Sequence, residues 1–180
     1  MNKALQVREY SRTKHRFSPM ISTDLFGNSE LDELDVRLLD ALQRNARSTY
    51  AELGQVVGLK PPAVHERVKR LESRGYVRGY AARLDPRLLG LELVAFIGCY
   101  STPDANYDGL VADLASLPEV CEVHSVAGEE SFIVKTVTRS TGHLDELLGR
   151  LKRIQGVART KTTVVLSTPF ERGGITVSVS

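Results

Sequence analysis

Hydrophobic positions along this chain fall into a few regular spacings, and each spacing names an element. Leu31, Leu34, Leu38, Leu39 and Leu42 recur at three- and four-residue steps, the apolar stripe of an amphipathic helix. That helix is predicted to start near Ser29 and to fade at Asn45-Ala46-Arg47, with Asp32, Glu33 and Asp35 in its first turns, where acids suit the helix dipole. Thr49-Tyr50-Ala51-Glu52 reads as a capping box, in which the hydroxyl and the carboxylate each satisfy a free backbone N–H. A short second helix over residues 50–57 follows, and Gly58 ends it as a left-handed cap. A third runs from Pro61 to about Ser73, with Gly75 stopping it. Proline suits a first helical position because the N–H it lacks is unbonded there anyway. Three helices in about 45 residues, the last two joined by a tight glycine-containing turn, make the helix-turn-helix layout.

The second half repeats itself. Tyr107, Leu110, Val111, Leu114, Leu117 and Val120 share their spacing with Leu144, Leu147, Leu148, Leu151, Ile154 and Val157, each shifted by 37 residues. Both sets are amphipathic-helix patterns. The same shift carries the strand-like run at residues 91–100 onto residues 128–137, which contain SFIVKTV. Further strands are expected at residues 119–126 and 157–167. The order β-α-β-β-α-β predicts two helices on one face of an antiparallel sheet, the ferredoxin-like plan. Residues 76–84 alternate as an extended segment ending at Asp85-Pro86, and residues 175–179 are a candidate edge strand. Residues 1–28 carry no periodicity and read as a flexible arm. The division expected is therefore an arm at 1–28, a helix-turn-helix domain at 29–78, an extended hinge at 79–89, and a ferredoxin-like domain at 90–180.

Charge sharpens this picture. The net charge is only +2, but residues 1–19 carry Lys3, Arg8, Arg12, Lys14 and Arg16 against Glu9. Residues 60–83 hold seven Lys/Arg against Glu66 and Glu72. A local basic patch on a near-neutral chain points to a polyanion partner. With Val64, Val68 and Leu71 turned inward, Pro62, His65, Glu66, Lys69, Arg70 and Ser73 fall on the outer face of the third helix. Arg67 and Arg74 flank the buried stripe. The solvated-face alternative is weaker for a basic helix that is third of three and follows a tight turn. Double-stranded DNA is the expected partner. Arg67, Arg70, Arg74 and Arg78 are then candidates for phosphates, and His65, Glu66 and Lys69 for base edges. No aromatic side chains lie on this helix face to stack single-stranded RNA.

Other chemistry is sparse. His15, His65, His124 and His143 are scattered, and His124 is expected to be half-buried and structural. There is no G-x-S-x-G, no H-E-x-x-H and no phosphate-binding glycine loop. Cys99 and Cys121 form no C-x-x-C pair and are expected as buried, reduced thiols of a cytoplasmic protein. No apolar run approaches the ~20 residues of a membrane span. No metal or cofactor is expected.

LDELDVRLLDALQRNAR, TYAELGQVVGLKPPAVHERVKRLESRGYVRGY and the βαββαβ half together resemble the Lrp/AsnC, or feast/famine, family of transcription regulators over about residues 31–168. The resemblance implies a winged helix-turn-helix, a hinge and a ligand-sensing domain. It also implies homodimers that often build octamers on the nucleoid, and an effector, commonly an amino acid, bound between dimers. Where the family has a capping Ser or Thr this chain has Lys60, which cannot cap and faces phosphate instead. The loop between the second and third strands, VAGEESFIV, implies an effector site at Gly128, Glu129, Glu130, Ser131 and Phe132, with Thr160, Thr162 and Thr163 nearby. The family's Gly-x-x-Asp becomes Gly-x-x-Ser here, so Glu129 and Glu130 are the candidates to replace the Asp that pairs with a ligand amino group; the alternative is that GEES is a plain β-turn and the threonines are strand formers. Some sirohaem decarboxylases share this scaffold, and a DNA-free scaffolding oligomer is another alternative. The basic third helix argues against both.

Overall fold

The computed structural model describes residues 31–177. The expected basic arm, together with His15, lies outside them. The chain divides into two units: residues up to Val77 with Thr176 and Val177 form one, and Arg78–Ile175 form the other.

The described residues of the first unit form three helices: α1 (Glu33–Arg44), α2 (Tyr50–Val57) and α3 (Pro61–Ser73). α1 begins four residues later than the leucine spacing suggests, because Asp32 is its N-cap and accepts from the Asp35 N–H at 2.8 Å. The capping box of α2 forms as expected, with Glu52 accepting from the Thr49 N–H at 2.6 Å and Thr49 Oγ1 from the Glu52 N–H at 3.2 Å. Gly58 takes φ +73°, and the Gly54 carbonyl accepts from both Gly58 and Leu59 N–H. Lys60 is the N-cap of α3 and makes no side-chain cap bond. Leu38, Leu53, Val64, Val68 and Leu71 close the core to water. Val177 packs on that core.

The second unit opens with an irregular segment and one 3-10 turn (Arg87–Leu89). β1 (Leu93–Ser101), α4 (Tyr107–Ala115), β2 (Val120–Ser125), β3 (Phe132–Thr138), α5 (Thr141–Leu151) and β4 (Val157–Val164) follow. The strands are antiparallel in the order β2-β3-β1-β4. Both halves of the 37-residue repeat fold alike: β2 and β4 start at Val120 and Val157. Ala95, Ile97, Cys99, Phe132 and Val134 point to one face of the sheet and pack with Leu110, Leu114, Leu144, Leu147 and Leu151 of the helices.

Several expectations need correction. Residues 78–86 form no strand, so the extended segment adds no wing strand among the described residues. Residues 175–177 form no edge strand either. Cys99 is buried as expected, its thiol pushed up to about 11 by burial, but Cys121 is exposed on β2. His124 is also exposed, with Nε2 2.9 Å from Glu122 Oε2. The described helices cover one face of the sheet, so alternation along β2 separates a core face from a wet one rather than two buried faces.

The one deeply placed acid of the second unit is Glu119, whose side chain is 9% exposed. His143 Nε2 lies 2.8 Å from its Oε1, and Arg150 donates to the same oxygen. Burial pushes its carboxyl up, but the Arg150 and His143 bonds outweigh that and hold it at about 2.

A Cβ on Gly54 would stand 2.4 Å from the Leu59 carbonyl oxygen, a backbone atom. Gly54→Ala should therefore lower the denaturation midpoint by the equivalent of about 1–3 kcal/mol, where the same change in an open helix would stabilise. Glu119 titrates lower folded than unfolded, so its contribution is complete above pH ~4.5 and is lost as pH falls toward about 2. Melting curves of Glu119→Gln should lose part of the acid destabilisation across that window, and an unchanged pH profile would refute the assignment.

Candidate DNA-reading helix and sensing face

α3 is built so that its apolar stripe locks it against α1 and α2 and its opposite face meets solvent. Pro62, His65, Glu66, Lys69 and Ser73 are exposed, as are Lys60 at the N-cap and Arg74 at the C-cap. His65 is 47% exposed, and its Nδ1 lies 3.4 Å from Glu66 Oε1. Tyr50, the first residue of α2, meets the His65 ring edge-on with centroids 5.1 Å apart. The sequence reading missed Tyr50, because only the turn between the helices brings it to His65. Arg78 is exposed and begins the second unit.

Arg67 and Arg70 behave differently from the other cations. Arg67 Nη1 donates to Asp32 Oδ2 at 2.6 Å and to Asp35 Oδ1 at 2.8 Å. Arg70 Nη2 donates to both Asp35 oxygens, at 3.0 and 2.8 Å. Asp35 is 1% exposed, against 24% for Arg67 and 43% for Arg70. Hydrogen bonds to Asp32 and Asp35 raise the Arg67 guanidinium's pKa. The phosphate role expected for these two arginines thus meets a competing partner inside the protein. Removing one partner from a buried ion pair costs about 3–5 kcal/mol, less where the cation keeps some water. A signal for this was present: Asp35 sits three and four residues before Leu38 and Leu39, on the apolar stripe itself. An acid at a stripe position needs a buried cation.

In the second unit the expected effector residues separate. Gly128 and Glu129 are exposed in the β2–β3 loop, and a Cβ on Gly128 would meet open space. Phe132 is 1% exposed, in the core, with its ring 5.1 Å from that of Tyr107. Ser131 ties the loop to β1: its Oγ lies 2.7 Å from Ser101 Oγ and accepts from the Ser101 N–H at 3.1 Å. Thr160 and Thr162 pair with Cys99 and Ile97, so they share the helix-covered face. Thr163 pairs with Phe96 on the opposite face.

That opposite, helix-free face gathers its own cluster. Glu130 Oε1 accepts from the Tyr100 hydroxyl at 3.0 Å. The Arg159 guanidinium lies over the Tyr100 ring, 3.5 Å from its centroid. Glu130 reaches Tyr100 by crossing β1 at Gly98, where a Cβ would stand 2.8 Å from Glu130 Cγ. Its own backbone N–H and the Tyr100 hydroxyl hold the Glu130 carboxyl below the usual carboxylate range, with help from Lys161 and Arg159. A carboxylate beside an arginine and a lysine can hold both ends of a zwitterion. Tyr100, Arg159 and Lys161 were not foreseen, because neighbours across strands show only once the register of β1 and β4 is known.

Residues 31–72 match the AsnC-type helix-turn-helix domain, and residues 94–175 match the Lrp/AsnC ligand binding domain. The chain is 39% identical over 141 residues to the HTH-type transcriptional regulator LrpA of Mycobacterium tuberculosis, covering 78% of this chain and 93% of that one. It superposes on the structure of Escherichia coli AsnC with a TM-score of 0.76 at 33% identity, over 82% of this chain and 99% of that one. A feast or famine regulatory protein of M. tuberculosis complexed with L-methionine aligns at 38% identity and a TM-score of 0.72, over 78% and 95% of the two chains. These relatives are named as regulators, not enzymes, which sets the decarboxylase alternative aside. An AsnC-type reading head and an Lrp/AsnC sensing fold in one chain make this protein a member of the Lrp/AsnC family of transcriptional regulators.

Proposed function

We propose that this regulator reads a specific DNA site with the outer face of α3, and that an amino acid bound on the second unit resets its assembly. The exposed set of His65, Glu66 and Lys69, flanked by Lys60 and Pro62, carries the first half. Long cationic chains and short polar groups on a helix that follows a tight turn suit the major groove. Lys60, at the helix start, is the natural phosphate contact, and Arg74 and Arg78 are further candidates. Such a protein works on the nucleoid in the cytoplasm.

Exposed apolar side chains support self-association. Phe96 on the helix-free face is 39% exposed, and Leu84, Leu88, Leu89, Leu166 and Phe170 are 61–97% exposed. Leu84 and Leu166 line one open cleft. So much exposed apolar surface suits a second copy of the chain, giving a homodimer and, by further contacts, an octamer. Two-fold symmetry then calls for a near-palindromic operator with half-sites about 34 Å, or a multiple, apart.

The second half rests on the Glu130, Tyr100, Arg159 and Lys161 cluster. The M. tuberculosis relative and a Neisseria meningitidis transcriptional regulator are both described in complex with L-methionine. Here Glu130 is the carboxylate for a ligand amino group, and Arg159 or Lys161 the cation for its carboxylate. Gly128 and Glu129 border the site, Ser131 shapes the loop, and Thr163 lies on the same sheet face.

A duplex enriched by the protein from a random pool should bind about 10³-fold or more tighter than its scrambled version at physiological salt, by fluorescence anisotropy. Lys69→Ala should cost about 1–3 kcal/mol on that duplex and relax one base position. Equal, weak binding of every duplex would sink the reading. In sedimentation runs, at least one L-amino acid should change the assembly size, and Glu130→Gln should weaken that response about tenfold or more. If no amino acid moved either assembly or DNA affinity, the sensing half would fall.

A further inference from the structure

The geometry points to Asp35, with Asp32, as a positioning residue for DNA recognition: it takes Arg67 and Arg70 out of the phosphate-binding set and uses them to set the orientation of α3. This inference rests on the DNA-reading role of α3 and assigns that helix's cations to two jobs.

The two arginines stand three residues apart on one flank of α3, and the two acids stand three residues apart at the start of α1. Each pair therefore presents both members on one side of its helix. Two positive and two negative charges meet, so this flank of α3 contributes little net field to an approaching polyanion. The Asp35 carboxylate takes three guanidinium bonds and also lies 3.5 Å from the Asp32 N–H. Asp32 divides its oxygens, one to the cap of α1 and one to Arg67. For Arg67 to reach a phosphate it must abandon a carboxylate that water cannot reach, and DNA offers no compensation for that loss.

The clamp does mechanical work instead. The apolar stripe of Val64, Val68 and Leu71 lets α3 slide or roll slightly, since hydrophobic contact is not directional. A guanidinium fork on a carboxylate is directional and fixes the roll. On the other side of α3 the Tyr50 edge meets His65. A small roll moves His65 and Lys69 off their base edges, because base contacts demand alignment. Contacts to phosphate through flexible lysines tolerate it. The clamp thus governs discrimination rather than overall attraction to DNA.

The test uses the full chain with the enriched duplex and its scrambled version across a salt series. Arg67→Lys keeps the charge and loses the fork. It should reduce the preference for the enriched duplex about tenfold or more, with scrambled-duplex affinity held within about twofold and an unchanged salt slope. Arg67→Gln should behave the same way. Lys60→Ala is the comparator for a phosphate ligand and should flatten the slope by about 0.9 on both duplexes. The inference is overturned if Arg67→Gln flattens the slope as Lys60→Ala does, or if Arg67→Lys keeps the full preference. Thermal melts of each variant exclude unfolding, and Asp35→Asn supplies the reciprocal check: a steeper slope and tighter scrambled binding would mean that freed arginines do seek phosphate. The wild-type preference is read in the same series, so loss of the DNA reading and loss of the clamp are told apart.

Discussion

A carboxylate taken out of water must be met by cations, and this requirement organises both units of the chain. Asp35 meets it with Arg67 and Arg70, joining the start of α1 to the flank of α3. Glu119 meets it with His143 and Arg150, joining the approach to β2 to α5. In each case apolar packing supplies the bulk of the cohesion, and the buried acid supplies direction. Hydrophobic side chains would accept many small displacements of one helix on its neighbours. A paired carboxylate accepts few, because every displacement lengthens several bonds at once. Each unit therefore has a greasy core and a paired acid that fixes one of its helices in place.

Much of the fold was legible because its signals are local. The capping box at Thr49 and Glu52, the left-handed Gly58 and the start of α3 at Pro61 each depend on residues within one turn. The 37-residue repeat then doubled the evidence for the second unit, since two copies of one pattern correct each other's boundaries. Failures came where the answer depends on partners distant in sequence. Cys121 read as buried and His124 as half-buried because β2 has the pattern of a strand, but the described helices cover only one face of the sheet. Alternation at residues 76–84 and 175–179 reads as strand, yet a strand exists only where a neighbour continues a ladder with it, and the described residues of neither segment belong to the sheet β2-β3-β1-β4.

The candidate sites were legible in the same proportion. Helical rotation alone put His65, Glu66 and Lys69 outward, and they are outward. It also put Arg70 beside them and Arg67 at the flank of the stripe, both as candidates for phosphate, and there a helical wheel is blind. Charge counted along a helix says nothing about the acids it faces, and here two of the cations are answered from 32 to 35 residues upstream. The effector candidates show the same limit in a sheet. Thr160, Thr162 and Thr163 are neighbours in sequence, but the pleat sends the first two to the helices and the third to the open face.

The replacement of the family's Asp by Ser131 can be understood at this level. Ser131 is spent on Ser101 and has no charge to offer a ligand, but it pins the loop to β1 directly beside Glu130. Pinned there, Glu130 crosses the strand where Gly98 has no side chain, reaches the Tyr100 hydroxyl and comes under the field of Arg159 and Lys161. The negative charge has thus moved by one residue in the chain and, through Gly98, onto the helix-free face of the sheet. A Cβ at residue 98 would evict it. The substitution and the glycine are one arrangement, so exchanging Ser131 for Asp alone adds a second carboxylate beside Glu130 rather than restoring the family pattern. Two like charges sharing that corner raise each other's cost of ionisation, which makes Gly98, Glu130 and Ser131 a set to be changed together.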